Sequence, residues 1–286
     1  MKEIKYLMSA GSLRRKDNTI MFYTEDGKKH YLPVENTSQI MLFGEIDINK
    51  RVLEFFTQKE ISVHFFSYYG YYMGTYYPRE HYNSGYMILR QANNFYKMNK
   101  RLGIAKLIVK GAYSNIVKIL SYYKNKRENI DDVLEEIKEC KEGLKNAENI
   151  NILMSNEANL RKIYYKAFDI ILNNSDFRFE KRSKRPPKNQ LNTLISFGNS
   201  LLYVTVLSEI YKTHLDPRIG YLHETNFRRF SLNLDIAEIF KPIIVDRLIF
   251  SLINKKEIQS SHFSKELDGI ILNEAGRRKF IENYDK

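Results

Sequence analysis

Three short segments of this chain carry side chains that could act on a phosphodiester. In Asn156-Glu157-Ala158-Asn159-Leu160-Arg161-Lys162-Ile163-Tyr164-Tyr165, the residues Glu157, Arg161 and Tyr164 recur at i, i+4 and i+7. A helix would therefore set a carboxylate, a guanidinium and a phenol on one face. The plain alternative is a surface ion pair between Glu157 and Arg161, worth only about 0.3–0.5 kcal/mol. In Asp216-Pro217-Arg218-Ile219-Gly220-Tyr221-Leu222-His223-Glu224, a Pro and Gly turn delivers His223, and Arg228 and Arg229 follow shortly. Imidazole suits transition metals, and neighbouring carboxylates move the preference toward harder ions such as Mg or Mn. A lone histidine beside a turn reads as well as a hydrogen-bonded surface residue. In Leu232-Asn233-Leu234-Asp235-Ile236-Ala237-Glu238-Ile239-Phe240-Lys241-Pro242, Asp235 and Glu238 stand three apart in an apolar stretch. Carboxylates bury poorly unless paired or metal-bound. Arg228, Arg229 and Lys241 are the cations near enough in sequence to offer salt bridges instead.

Together the segments read more sharply than apart. A glutamate, a histidine and a further acid from different elements would make an oxygen-rich site with one nitrogen and open positions. Such a site suits phosphoryl chemistry, in which an ion polarises the phosphate and nearby Arg and Lys hold its neighbours. Water as nucleophile gives cutting, and a DNA 3′-hydroxyl gives joining.

The elements that must position these residues differ between the two parts of the chain. Up to Tyr77 the pattern is short β-branched and aromatic runs, predicting strands at 4–9, 19–24, 40–46, 61–69 and 71–77. Asp17-Asn18 and Asp26-Gly27 are the expected turns. Val52, Leu53, Phe55 and Phe56 have helical spacing within 51–59. Beyond Pro78 the apolar period becomes 3.6, as in Ile104, Ile108, Ala112, Ile116 and Ile119. Helices are expected from Asp131 to about Gly143, over 150–173, over 189–214, and over 234–254 with Pro242 as a kink or break. The fold class is thus α+β, with a β-rich domain at 1–77 and an all-helical domain at 78–286. Between the second and third of these helices, residues 176–190 form a basic loop with Arg178, Lys181, Arg182, Lys184, Arg185 and Lys188 around Pro186-Pro187. A connection of that length is usually functional or mobile; DNA backbone contact is the functional reading.

The bulk properties bound the partners. The 286 residues carry a formal net charge of +12, which attracts polyanions over about 8 Å at physiological salt. Lysine-rich composition without any partner would give the same charge. Aromatic residues make up 13%, with no Trp, and Cys140 is the lone cysteine. An intramolecular disulfide and a cysteine-based zinc cluster are thereby excluded within one chain, and a reducing cytoplasm fits. The reading expects no membrane-spanning run and no leader.

In order and context the segments resemble the CRISPR-associated adaptation integrases, which insert spacers into CRISPR arrays. The resemblance is carried by Glu157 with its downstream Tyr164, then Arg182-x-x-Arg185-Pro186-Pro187 leading to Asn192 and Leu194-Ile195-Ser196-Phe197-Gly198. Leu215-Asp216-Pro217, Gly220 and Leu222-His223 follow, and then Ser231-Leu232-x-Leu234-Asp235 and Glu238. It spans roughly residues 2–284, and one departure is Ala158, where the family often has Gly. The resemblance implies that Glu157, His223 and Glu238 are the catalytic metal ligands for Mg or Mn, with Asp235 as a supporting acid. It implies a homodimer joined through the β domains, and a larger integrase complex with a small second adaptation protein. Arg161, Tyr164, Arg182, Lys184, Arg185, Arg228 and Arg229 are the expected DNA contacts. Two rival readings need no metal: a non-catalytic basic nucleic-acid-binding protein using Tyr for stacking, and a scaffolding subunit whose acids are all ion-paired.

Overall fold

The computed structural model describes residues 2–78, 82, 84–184, 186–225, 230–267 and 269–285. The chain divides into two compact units, 1–82 and 83–286.

The first unit contains β1 (Glu3–Leu7), β2 (Gly11–Lys16), β3 (Thr19–Thr24), β4 (Lys29–Leu32), β5 (Thr37–Leu42), β6 (Ile46–Ile48), α1 (Lys50–Gln58), β7 (Ser62–Phe66) and β8 (Tyr72–Tyr76). They build two four-stranded sheets, ordered β1-β5-β7-β8 and β4-β3-β2-β6. Leu13, Ile20 and Phe22 of one sheet and Ile40, Leu42 and Val63 of the other share a core with Val52, Phe55 and Phe56 of α1. Asp17 adopts φ 53° in the two-residue turn between the paired Lys16 and Thr19, as its turn chemistry predicts. The strand expected over 40–46 is in fact two. The chain breaks at Phe43-Gly44-Glu45 and passes from one sheet to the other. Gly44 is required there, because a Cβ would lie 2.4 Å from the Ser9 carbonyl oxygen. Strands β2 and β4 were not expected. β2 buries only Leu13 and ends in exposed Arg14, Arg15 and Lys16, so its sequence lacks the apolar alternation of a strand.

The second unit contains α2 (Gly85–Tyr96), α3 (Met98–Lys124), α4 (Ile130–Asn146), α5 (Ile150–Leu172), α6 (Gln190–Tyr211), α7 (Ser231–Lys241), α8 (Arg247–Asn254), β9 (Phe263–Lys265), β10 (Ile270–Leu272) and α9 (Glu274–Tyr284). It is helical as expected except for the antiparallel β9–β10 pair, which qualifies the all-helical expectation. Helix ends follow side-chain caps. Asn149 accepts from the Ile152 amide, Asn189 from the Asn192 amide and Asn273 from the Gly276 amide. Gly143 does not end α4, which runs on to Asn146; the Gly143 carbonyl accepts from Asn156 Nδ2 of α5 at 2.8 Å.

Residues 189–208 carry no charged side chain, so a run of bilayer length does exist, contrary to the sequence reading. It forms α6, and 67% of its apolar window is buried inside this unit, which makes it the central core helix. Gly198 lets the residues after α7 approach α6 closely: a Cβ there would meet Val245 Cγ1 at 2.6 Å. Pro242 breaks the α-helical ladder as predicted, and the chain continues as a π-helical turn over Pro242–Asp246 into α8.

Candidate metal centre

The site is assembled around α7. Its first turn receives the loop 216–223, which is docked by backbone and side chain alike. The Leu232 amide donates to the Pro217 carbonyl at 3.0 Å, and Ser231 Oγ donates to the Arg218 carbonyl at 2.6 Å and accepts from the Gly220 amide at 2.9 Å. Only glycine fits at 220, because a Cβ would stand 2.7 Å from the Ser231 carbonyl carbon and 2.8 Å from Asp235 Oδ2. From α2, the Gln91 amide clamps the backbone of Asp216 by two bonds, and from α3, Arg101 Nε donates to the Tyr221 carbonyl at 2.9 Å.

Asp235, fully buried, is the hub of that loop. Its Oδ2 accepts from the amides of Tyr221 (2.5 Å) and Leu222 (2.9 Å), and its Oδ1 accepts from the amide of His223 (2.9 Å). Oδ1 also lies 2.8 Å from His223 Nδ1. Three amides already donate to this carboxylate, so it is set to accept from His223 Nδ1 as well and to hold the ring in place. This is how a metal-binding imidazole is oriented by an outer carboxylate.

One turn further along α7, Glu238 has both oxygens engaged. Oε1 pairs with Lys241 of the same helix, and Oε2 accepts from Arg161 Nη2 of α5 at 2.6 Å. Arg161 Nε in turn lies 3.5 Å from Glu157 Oε1, so one guanidinium bridges the two glutamates. Burial alone would raise the Glu238 pKa; Lys241, Arg161 and the nearby His223 outweigh it and hold the carboxyl at about 2. The same pairing drives the pKa values of Arg161 and Lys241 upward against their burial. Arg161, Glu238 and Lys241 thus form a buried, charged network.

Glu157 lies on α5, His223 in the loop before α7, and Asp235 and Glu238 on α7; Arg161 links Glu157 to Glu238, and Asp235 contacts His223. Among the described residues, no three His, Cys, Asp or Glu side chains are gathered closely enough to hold an ion as they stand. The donor chemistry nevertheless fits a divalent cation: two carboxylates, one oriented imidazole, and cations that occupy Glu238 in its place.

Several expected DNA contacts are placed otherwise. Tyr164 is fully buried, because its helical face turns inward past Arg161 and its ring packs edge-on against Phe168, so it does not reach a DNA strand. Arg161 serves the two glutamates. Arg182 is tied to α6, donating to Asn192 Oδ1 at 2.9 Å and Ser196 Oγ at 3.0 Å, and so fastens the basic loop rather than projecting from it. Lys184 is exposed. Arg185, Arg228 and Arg229 lie outside the described residues. Lys241, which the sequence offered as a salt-bridge partner for these acids, does pair with Glu238. Asp246 was not singled out from sequence, although it is a lone acid in the apolar run after Pro242.

Comparison with known proteins places the whole chain. Residues 5–286 match the family described as CRISPR associated protein Cas1. The chain is 55% identical over 286 residues to a CRISPR-associated endonuclease Cas1 of Thermodesulfovibrio yellowstonii, covering 100% of this chain and 86% of that protein. The solved structure of a Cas1 protein from Thermotoga maritima superposes with a TM-score of 0.90 at 52% identity, covering 99% of this chain and 88% of the other. The fold also recurs, at 21% identity and a TM-score of 0.86, in a chain of a Cas6-RT-Cas1–Cas2 complex, covering 99% of this chain and 32% of that one. The α+β order of strands then helices and the match along nearly the whole chain lead to one conclusion: this chain belongs to the Cas1 family of CRISPR-associated endonucleases.

Proposed function

We propose that this chain is a divalent-metal-dependent DNA endonuclease and integrase of CRISPR adaptation, joining short duplexes to a repeat by attack of a 3′-hydroxyl. The observation that carries this is the orientation of His223 by Asp235, beside a Glu238 linked through Arg161 to Glu157. Glu157, His223 and Glu238 would hold Mg or Mn, and Asp235 would support them. The ion, when bound, supplies activation of the nucleophile and charge stabilisation on the phosphate. The chain's own residues orient the imidazole through Asp235 and hold Glu238 ionised. Arg161 and Lys241, once released from Glu238, are the nearest cations able to neutralise a phosphate oxygen.

DNA would follow the basic loop past the exposed Lys184, with Arg185, Arg228 and Arg229 as further contacts. The first unit would form the homodimer contact. A small second adaptation protein would complete the complex, a reading supported by the Cas1–Cas2 assembly that contains a chain of this fold. The reaction belongs in the cytoplasm, where the array resides.

The test uses labelled duplex with a 3′-hydroxyl or a 3′-dideoxy end, a plasmid bearing the repeat, the second adaptation protein, and Mg, Mn or chelator. Joining should require both the hydroxyl and the ion, whereas hydrolysis of branched DNA should require only the ion. Joined product from the dideoxy duplex, or from the chelated reaction, would overturn the integrase reading.

A further inference from the structure

Asp246 closes the π-helical turn that follows α7, and it is buried, at 3% exposure. Its Oδ2 makes no hydrogen bond. The Tyr164 hydroxyl, also buried without a completed hydrogen bond, lies close enough to influence it, as do Arg161 and Lys241. A buried carboxylate oxygen left without a partner beside two cations is unusual, since such atoms are almost always satisfied. The cations are not idle: both are spent on Glu238, whose two oxygens they occupy.

This arrangement poses a question of charge. An ion that takes Glu238 displaces Arg161 and Lys241, leaving two buried cations without a counter-ion. Glu157, the other partner of Arg161, is needed by the same ion. Asp246 is the remaining buried acid that acts on both cations, and its open oxygen is ready to accept an N–H.

We propose that Asp246 is a positioning residue, a reserve counter-ion that receives Arg161 or Lys241 when a divalent ion occupies Glu238, so that ion binding is coupled to an exchange of buried ion pairs. The proposal rests on Glu238 being a metal ligand. Asp246 itself touches neither the ion nor the DNA. Tyr164, which acts on Asp246 from α5 as a hydrogen-bonding neighbour, would donate to the carboxylate that receives the cation.

The test measures Mn2+ binding to the full-length chain without DNA, by the loss of the free-ion paramagnetic resonance signal, alongside melting in chelator. Asp246→Asn should weaken Mn2+ binding by about tenfold or more, the range seen for outer partners of metal ligands, without lowering the melting temperature in chelator. Asp246→Glu, which keeps the charge, should recover most of the affinity. Equal loss in both variants would assign the effect to packing and overturn the proposal, as would unaltered binding in Asp246→Asn. Glu238→Gln separates the two readings. If it abolishes Mn2+ binding while Asp246→Asn binds like the parent, the reserve counter-ion fails and the ligand assignment stands. If Glu238→Gln binds Mn2+ normally, both fall. Should Asp246→Asn not fold, crystals of the parent grown with and without Mn2+ decide the matter: Arg161 or Lys241 must be found on Asp246 in the loaded state, and both remaining on Glu238 overturns the proposal.

Discussion

Each unit of the molecule buries a polar cluster, and the two are balanced in opposite ways. In the first unit His64 is fully buried between sheet neighbours, its Nδ1 2.8 Å from Thr75 Oγ1 and its Nε2 3.0 Å from Gln39 Oε1. Both ring nitrogens are satisfied by neutral partners, and burial pushes its pKa down to about 4. In the second unit Arg161, Glu238 and Lys241 are buried together as charges, with one carboxylate shared by two cations, and Asp246 is buried with them carrying an open oxygen. The first cluster is complete and resists protonation. The second is overcommitted, and burial pushes its Asp246 carboxyl up to about 7, so as pH rises from 3.8 toward 7 the unfolded chain releases a proton that the folded chain keeps, and stability falls over that window. A network built only for stability would resemble the first, since buried ion pairs are a poor source of stability compared with neutral, satisfied contacts. The second has the form of a site kept charged for work.

The largest test of that contrast removes the second cluster's proposed ligands. Glu157→Gln, His223→Ala and Glu238→Gln should each reduce metal-dependent DNA cleavage and joining by about a hundredfold or more, beyond the 10–100-fold range of outer-shell substitutions; the melting temperature should change little for the first two and fall for Glu238→Gln, which leaves the buried Arg161 and Lys241 unpaired. Cleavage at parental rate by a folded variant would remove that residue from the site.

Asp235→Asn comes next. An amide keeps one acceptor oxygen and presents an NH2 group to backbone amides, so it cannot reproduce the three N–H bonds and the His223 contact. Activity should fall about 10–100-fold, and stability by about 1–3 kcal/mol from the unsatisfied amides. The effect stays smaller than for the ligands themselves. Thermal melting with a cleavage time course checks both, and a variant that melts like the parent would show that the carboxylate does not hold the loop.

The first cluster gives a smaller, pH-dependent effect. At pH above 6.5 His64 is neutral folded and unfolded; as pH falls from 6.5 toward 4 the unfolded chain gains a proton that the folded chain refuses. Stability of that unit should therefore decline over this window by about 3 kcal/mol in all, from a shift of roughly 2.5 units. His64→Gln should flatten that decline when denaturant unfolding is followed at pH 7, 6, 5 and 4.5. Identical slopes in parent and variant would mean that His64 is protonated in the fold.

The smallest effect belongs to the loop. Neutralising Lys184 and Arg185 should lower the salt slope of DNA binding by about one to two, and weaken all sequences alike. Arg182 is left out of this variant because it fastens the loop to α6. An unchanged slope would take the loop off the DNA path.

The fold class and the face shared by Glu157 and Arg161 were legible because periodicity reports which residues share a side of an element. Periodicity does not report depth. Tyr164 lies on the predicted face, yet that face passes from the half-buried Glu157 into the core within two turns, so an expected DNA contact became a buried phenol. Nor does spacing report partners across the fold. Asp235 was legible as an acid needing a reason, but its reason is three amides and an imidazole twelve to fourteen residues away, delivered by a loop whose path depends on Gln91 and Arg101. β2 was missed for the converse cause: its place in the middle of a sheet is secured by backbone pairing on both sides, while its side chains read as a charged tail.

The π-helical turn at Pro242–Asp246 has a consequence for insertions and deletions. Each residue in a helix advances the azimuth by about 100°, and a π turn absorbs one extra residue inside an otherwise continuous helix. Loss of a single codon among residues 243–245 would remove that extra residue and leave everything after it at nearly the same azimuth relative to α7, so Phe250, Leu252 and Ile253 would keep the buried positions they fill. A second loss has no extra residue left to draw on and would swing them by about 100°. A deletion scan should thus find one loss tolerated in this turn and two not, a slack of one residue that a regular α-helical stretch such as α8 does not have.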